Sequence, residues 1–163
     1  MAEKPCRRDP AQVVEAYGDM VYRICYVRLH GQHSAEIDDA FQEVFLRYME
    51  DAPQCRSPEH EKAWFCRCAV QRCTDILRQS VRHPTAELTE THAVTDTPEN
   101  TDCRVRDCLM ALPEMYRTPL YLQAVMGYTT AEIASLLHIL PGTARVRLSR
   151  AKEKLAEMWK DTD

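Results

Sequence analysis

Glycine is scarce in this sequence, and long runs of alternating β-branched residues are absent. Only 4 of the 163 residues are glycine, whereas residues that favour helices are common. These two features predict an all-α fold. Because 45% of the residues are apolar, the chain has enough apolar surface to bury the core of one domain or of two small ones.

No apolar stretch is long enough to span a bilayer. The first ten residues, MAEKPCRRDP, also lack the apolar segment of a signal peptide. We therefore expect a cytoplasmic protein that makes no membrane contact of its own.

Motifs of enzymes are missing as well. The sequence contains no glycine-rich phosphate loop, no histidine and carboxylate pair at catalytic spacing and no nucleophile motif. We expect a protein that is not an enzyme, with no catalytic residues and no cofactor.

The eight cysteines lack the spacing of a metal or disulfide site, because no C-x-x-C pair occurs among them. Cys66 and Cys68 lie in a helical pattern, where residues two apart point about 200° away from each other. Cys68 and Cys73 fall near apolar positions, and a free cysteine packs as a small apolar residue. We expect no metal site, and a cysteine-based redox or zinc sensor is kept as an alternative that metal analysis would test.

Positive charge is concentrated near the C-terminus, although the formal net charge is −4. A negative total does not favour non-specific adhesion to nucleic acid over the whole surface. The ten residues 145–154, however, contain five cations and the single acid Glu153. Local segregation of charge therefore matters more than the total.

Residues 128–154 predict two helices joined by a tight turn. Thr129 and Glu132 have the spacing of a capping box at a helix start. Pro141 suits the first position of the next helix, where its missing N–H is not needed. Apolar residues recur at helical spacing in both helices. They are Ile133, Leu136, Leu137 and Leu140 in the first, and Ala144, Leu148, Ala151 and Leu155 in the second.

The far side of the second helix carries small, polar and basic residues. Such a surface on the second helix of a helix-turn-helix is suited to the DNA major groove. The plainer alternative is a helical hairpin in an ordinary bundle, with a solvated basic side. The residues expected to face DNA are Gly142, Thr143, Val146, Ser149 and Arg150, with Arg145 and Arg147 on the flanks.

Helices are also predicted before residue 83, at 10–30, 34–50 and 61–82, with a loop at 51–60. Segment 83–102 contains five acids and no lysine or arginine, and it is predicted to be a flexible linker. The chain is thus divided into an N-terminal helical domain, 1–82, and a C-terminal one, 103–163. On the second helix, a row of carboxylate and amide groups is suited to a basic partner, although it is also what a solvated acidic side contains.

Three segments on either side of this linker resemble the extracytoplasmic-function (ECF) group of bacterial RNA polymerase sigma factors. In chain order they are DDAFQEVFLRYME, KAWFCRCAVQRCTDILR and ALPEMYRTPLYLQAVMGYTTAEIASLLHILPGTARVRLSRAKEKL. Their order in so short a chain is specific, and the resemblance covers nearly the whole sequence. It implies a dissociable subunit that binds core RNA polymerase and directs it to promoter DNA, under the control of an anti-sigma factor.

The resemblance also implies roles for individual residues. Loop 51–60 would capture a flipped-out base of the promoter. The second helix would bind the clamp helices of the polymerase β′ subunit through Asp39, Gln42, Glu43 and Phe45. The third helix would bind the melted minus-ten strand through Gln71, Arg72, Asp75 and Arg78. The recognition helix would bind the minus-thirty-five element through Thr143, Arg145, Arg147 and Arg150.

Three positions depart from the family pattern. His138 stands where glycine is usual, Leu140 where a polar cap is usual, and Gln71 where asparagine is common. The main alternative is a stand-alone helix-turn-helix regulator that binds operator DNA as a dimer. That alternative assigns no task to the second helix or to the N-terminal domain.

Overall fold

The computed structural model describes residues 8–51, 54–82 and 102–161. Every regular element within these ranges is helical, which confirms the predicted all-α class. Contacts divide the chain into two units, Met1–Thr89 (unit 1) and Glu90–Asp163 (unit 2). The predicted linker lies outside the described residues except for residue 102, which begins a helix.

The described residues of unit 1, 8–51 and 54–82, form three α-helices that all contact one another. Helix α1 spans Pro10–Leu29, and a short 3₁₀ helix, Ser34–Glu36, leads into α2. Helix α2 spans Ile37–Glu50 and α3 spans Pro58–Arg82. The predicted number and order of helices are therefore confirmed in this part of the chain.

The start of α3 corrects the predicted loop 51–60. Helix α3 begins at Pro58, so the last three residues of that loop are helical. Ser57 explains the early start, because its hydroxyl accepts a hydrogen bond from the His60 N–H over 3.2 Å. Proline in the first helical position needs no N–H partner. Residues 52 and 53 of the predicted loop lie outside the described residues.

An aromatic cluster around Phe65 of α3 forms the core of unit 1. The Phe65 ring is fully buried, and its centroid lies 4.8 Å from that of Tyr17 on α1. The rings of Phe45 and Tyr48 on α2 lie 5.3 and 5.0 Å from it. These contacts join all three helices through one side chain. Phe65, Ala69, Cys73 and Ile76 are all buried and form the core side of α3.

Buried polar groups in unit 1 have partners. The Arg28 guanidinium donates from Nη1 to the Val70 carbonyl over 2.8 Å and to Thr74 Oγ1 over 2.5 Å, which ties α1 to α3. The Tyr48 hydroxyl donates to the Glu61 carboxylate over 3.2 Å. Burial and the negative charge of Glu61 raise the pKa of Tyr48 to about 12. Both contacts join different helices.

Most cysteines with a described environment are buried. Cys66 and Cys73 on α3 are fully buried, and so is Cys25 on α1. A hydrogen bond with Cys73, together with burial, raises the pKa of the Cys25 thiol. The thiolate, which is the reactive and metal-binding form, is therefore disfavoured at Cys25. The prediction that Cys68 and Cys73 pack as apolar side chains is confirmed, because both are buried.

The described part of unit 2, residues 102–161, forms four α-helices, and the first three contact the last one. Helix α4 spans Asp102–Ala111, α5 spans Glu114–Ala124, α6 spans Thr130–Leu137 and α7 spans Pro141–Asp161. Helix α7 contacts each of the other three. The orientation of α7 is therefore set by the whole unit. The core includes Leu112, Leu120 and Ala151, with Leu109, Tyr116, Leu155 and Met158 packed against them.

Two arginines connect α4 to the rest of unit 2. Buried Arg117 on α5 donates to the carbonyls of Met110 and Leu112 over 3.1 and 3.2 Å. A cation at the C-terminal end of a helix satisfies carbonyls that have no partner within the helix. Arg104 donates to the Trp159 carbonyl over 2.9 Å, and its guanidinium carbon lies 4.2 Å from the centre of the Trp159 ring.

Hydropathy separates these helices from membrane spans. Within residues 8–51, 54–82 and 102–161, no helix combines the length and the apolar character needed to cross a bilayer.

Removal of the Phe65 ring should destabilise unit 1 strongly. We expect Phe65→Ala to lower its free energy of unfolding by about 3–5 kcal/mol, because the substitution leaves a cavity where three helices meet. Val81→Ala, on the same helix at an 84% exposed position, should change the free energy by less than about 0.5 kcal/mol. Urea unfolding is followed by Trp64 fluorescence, with Trp159 replaced by Phe so that only unit 1 reports. Equal losses in the two variants would contradict the assigned core.

Candidate nucleic-acid and protein interfaces

Helix α6 begins with the predicted capping box. The Thr129 hydroxyl accepts a hydrogen bond from the Glu132 N–H over 3.2 Å. The Glu132 carboxylate accepts one from the Thr129 N–H over 2.8 Å. Two backbone N–H groups that have no partner within the helix are thereby satisfied. The first helix of the helix-turn-helix therefore starts where the sequence predicts.

The turn between α6 and α7 places His138 in the left-handed region, with φ 53° and ψ 44°. The N–H of Ile139 donates to the Ala134 carbonyl over 3.0 Å, and the N–H of His138 donates to the Ser135 carbonyl over 3.4 Å. This pair of bonds is the Schellman motif, in which glycine is the usual left-handed residue. Here histidine occupies the position that the family usually gives to glycine.

Helix α7 presents one apolar side to the core and a basic side to solvent. Ala144, Leu148 and Ala151 are buried, and Leu155 is half-buried, so the predicted apolar stripe is confirmed. The small alanine side chains let neighbouring helices approach α7 closely. Among the residues expected to face DNA, Arg145, Val146, Ser149 and Arg150 are exposed, whereas Thr143 and Arg147 are half-buried.

A cleft of about 370 Å³ lies between the start of α5 and the outer side of α7. Met115 and Tyr116 form its α5 side. The Lys154 ammonium lies 5.6 Å from the centre of the Tyr116 ring, which joins the two helices by a cation–π contact. The sequence pattern did not predict Met115 and Tyr116 as neighbours of the recognition helix. Their α7 neighbours in the cleft are Gly142, Thr143, Val146, Arg147 and Arg150.

Helix α2 places three of its four predicted polymerase-binding residues on the surface. Asp39, Gln42 and Glu43 are exposed. Phe45 is 7% exposed, and its ring lies 5.0 Å from Phe41 and 5.3 Å from Phe65. The Phe45 ring therefore packs in the core and helps to hold the outward row of α2 in place, and its contact with polymerase stays a prediction.

Helix α3 carries the four residues expected to bind the minus-ten strand. Gln71, Asp75 and Arg78 are exposed. Arg72 is half-buried, and its Nε forms an ion pair with the Glu43 carboxylate of α2. The structure thus brings together one residue of the predicted polymerase surface and one of the predicted DNA surface.

The ion pair lies in a groove of about 450 Å³ between α2 and α3. The groove combines acidic, basic and apolar side chains, so it lacks the uniform positive charge of a phosphate-binding channel. Leu46 is its most exposed apolar residue, at 57%. The lining residues are Glu43, Val44, Leu46, Arg47, Glu50, Cys68, Arg72 and Asp75.

Metal ligands do not cluster in the described parts of the two units. Within residues 8–51, 54–82 and 102–161, no group of three or more His, Cys, Asp and Glu side chains is arranged to hold an ion.

Comparison with known sequences identifies two matching families. The sigma-70 region 2 family matches residues 13–83, and the sigma-70 region 4 family matches residues 104–155. The chain is 32% identical over 133 residues to the ECF RNA polymerase sigma factor SigM of Mycobacterium tuberculosis, which covers 80% of this chain and 68% of SigM. It is 26% identical over 168 residues to SigW of Bacillus subtilis, which covers 93% and 89% of the two chains.

Solved structures share the fold at low sequence identity. The sigma factor RpoE of Bartonella quintana, in complex with the anti-sigma factor NepR, matches with a TM-score of 0.70 and 19% identity, over 94% of this chain and 98% of that chain. CnrH, in complex with the cytosolic domain of CnrY, matches with a TM-score of 0.58 and 19% identity, over 94% and 89%. These matches support the all-helical fold class.

Replacement of His138 by glycine should stabilise unit 2. We expect His138→Gly to raise the free energy of unfolding by about 1 kcal/mol, because glycine adopts the left-handed conformation without a Cβ clash. Ala156→Gly, at an exposed position inside α7, should lower it by about 1 kcal/mol. Urea unfolding followed by Trp159 fluorescence, with Trp64 replaced by Phe, measures both. Destabilisation by both glycines would contradict the assigned turn.

Proposed function

Because this chain belongs to the extracytoplasmic-function (ECF) family of RNA polymerase sigma factors, we propose a division of labour between its two units. Unit 1 binds core RNA polymerase and the minus-ten promoter element. Unit 2 binds the minus-thirty-five element.

The observation that carries this proposal is that two adjacent helices of unit 1 each expose a row of polar residues. Helix α2 presents Asp39, Gln42 and Glu43 to solvent. Helix α3, packed beside it, presents Gln71 and Arg78 among other polar residues. Because the Phe65 cluster holds these helices in one bundle, polymerase bound at α2 brings the DNA-binding side of α3 to the promoter in a defined position.

Promoter opening in this proposal is driven by binding energy. Unpaired bases of the non-template strand stack on aromatic side chains and contact cations, and each captured base offsets part of the cost of melting. Helix α3 supplies exposed Arg78 together with Gln71, and half-buried Trp64 lies earlier on the same helix. We propose that the protein performs no catalytic step of its own and requires no cofactor.

Unit 2 reads DNA through the outer side of α7. Arg145 and Arg150 are exposed cations on this helix, and Val146 is 47% exposed near them. Arginine binds guanine edges or phosphates, and an apolar side chain contacts the thymine methyl group.

The family usually has a polar cap where Leu140 stands. Leu140 is 75% exposed, directly before the start of α7.

Free DNA binding should be weak in this proposal. The formal net charge is −4, so attraction to phosphates is confined to local surfaces such as α7. Core polymerase then supplies affinity, because it holds both units near the promoter and raises their effective concentration.

Control by an anti-sigma factor completes the proposal. It is supported by the sigma factor RpoE structure, which shares this fold and is bound to the anti-sigma factor NepR. The protein would act in the cytoplasm, where core polymerase and promoter DNA are found.

Loss of the outward row of α2 should abolish polymerase binding. We expect the combined variant Asp39→Ala, Gln42→Ala and Glu43→Ala to lose co-purification with core polymerase, because these groups contact the β′ clamp helices. The measurement is co-purification from a mixture of purified components.

Helix α1 offers a matched control for this experiment. Gln12, Glu15 and Asp19 are exposed and contain the same three residue types. The variant Gln12→Ala, Glu15→Ala and Asp19→Ala should still co-purify with core polymerase. Equal loss in both variants would indicate a general charge effect. No binding by the folded wild-type chain would favour the stand-alone regulator.

Exposed arginines in the first half of α7 should determine promoter selectivity. We expect Arg150→Ala to weaken holoenzyme binding to a promoter that the wild-type holoenzyme has selected from a random pool. A lost base contact should cost about 1–3 kcal/mol, and the loss should disappear when the minus-thirty-five element is scrambled. Lys160→Ala removes an equal charge from the last turn of α7 and should have little effect. Equal losses for the two variants would contradict base reading by Arg150.

A further inference from the structure

The ion pair between Glu43 and Arg72 joins two residues to which the proposed function gives different partners. Glu43 stands in the α2 row that binds polymerase, and Arg72 stands on the α3 side that binds DNA. The Glu43 side chain is 49% exposed and that of Arg72 is 30% exposed, so part of each side chain reaches solvent, although the paired Nε atom of Arg72 is itself buried. In the free chain, Glu43 therefore occupies the guanidinium that would bind DNA, and Arg72 occupies the carboxylate that would bind polymerase.

Such a pair is easily exchanged. An ion pair with this degree of exposure contributes little to stability, because water and salt screen it. A cation on a docking partner can therefore compete for the Glu43 carboxylate, and a DNA phosphate can compete for the Arg72 guanidinium. Arginine suits this exchange, since its planar fork binds carboxylate and phosphate in similar ways.

The other charged groups of the groove do not provide Arg72 with an equivalent partner. Arg47 lies one turn after Glu43 on α2, where it adds a competing cation. Glu50 and Asp75 also line the groove. Arg72 nevertheless forms its ion pair with Glu43, which is one of the three carboxylates in the groove.

We propose that Glu43 masks Arg72 from promoter DNA until core polymerase engages Glu43. The inference rests on the proposed function and adds a mechanism of coupling to it. Polymerase docking frees the guanidinium for a phosphate of the minus-ten strand. By thermodynamic linkage, bound DNA must favour polymerase docking by the same factor.

The masking is tested with the free chain and a short fluorescent single-stranded DNA of mixed sequence, because phosphate contacts do not depend on sequence. Fluorescence anisotropy gives the dissociation constants. We expect Glu43→Gln to raise the DNA affinity about two- to fivefold, the range set by exposed ion pairs. Arg72→Gln should lower the affinity, and the double variant should bind as weakly as Arg72→Gln alone.

A charge control separates unmasking from simple electrostatics. Glu15→Gln removes the same charge from an exposed position on α1, and it should raise the affinity less than Glu43→Gln does. An equal gain from Glu15→Gln would overturn the proposal. So would a gain from Glu43→Gln that persists when Arg72 is already replaced. Circular dichroism confirms that each variant is folded.

Addition of saturating core polymerase separates this proposal from the proposed function. The contribution of Arg72 to DNA binding is the factor by which Arg72→Gln lowers the DNA affinity. Saturating polymerase should increase this factor in the wild type, and the increase should be two- to fivefold smaller when Glu43 is replaced by Gln. If the wild type binds polymerase but shows an equal increase in both chains, only the masking is wrong. If the wild type does not bind polymerase at all, the proposed function fails and the masking fails with it.

Discussion

The burial of Phe65 among the aromatic rings of α1 and α2 is the interaction on which unit 1 depends. Tyr17, Phe45 and Tyr48 contact it from two different helices. Aromatic side chains bury large areas, and their offset or tilted contacts add preferred geometry. Once these rings are packed, each helix has a fixed rotation about its own axis. The polar rows of α2 and α3 are therefore oriented by side chains that are buried in the core.

In unit 2, small side chains fix the orientation of the helices. Ala144 and Ala151 of α7 are completely buried, so neighbouring helices approach close to its backbone, and a larger residue would force them apart. The capping box of α6 determines where the first helix of the helix-turn-helix begins, and the left-handed His138 determines where it ends. The outer side of α7, with its exposed arginines, is thus held in a fixed orientation by the packing of unit 2.

The surfaces proposed for binding are modest individually, which suits a subunit that must associate and dissociate. The α2 row is exposed and polar, the α7 row is short, and the formal charge of the whole chain is negative. In the proposed function, tight and specific binding requires polymerase and both promoter elements together. The Glu43–Arg72 pair fits the same logic, because a weak internal contact is one that a partner can replace.

The sequence by itself determined the features that depend on residues close along the chain. Helical spacing, the Thr129–Glu132 box and Pro141 predicted the helix-turn-helix, since capping and amphipathicity act within a few residues. Only the tertiary structure decided which apolar residues are buried and which distant side chains meet. It placed Phe45 in the core and paired Arg72 with Glu43. These contacts join different helices, whose relative rotation arises from packing and leaves no periodic signal in either helix alone.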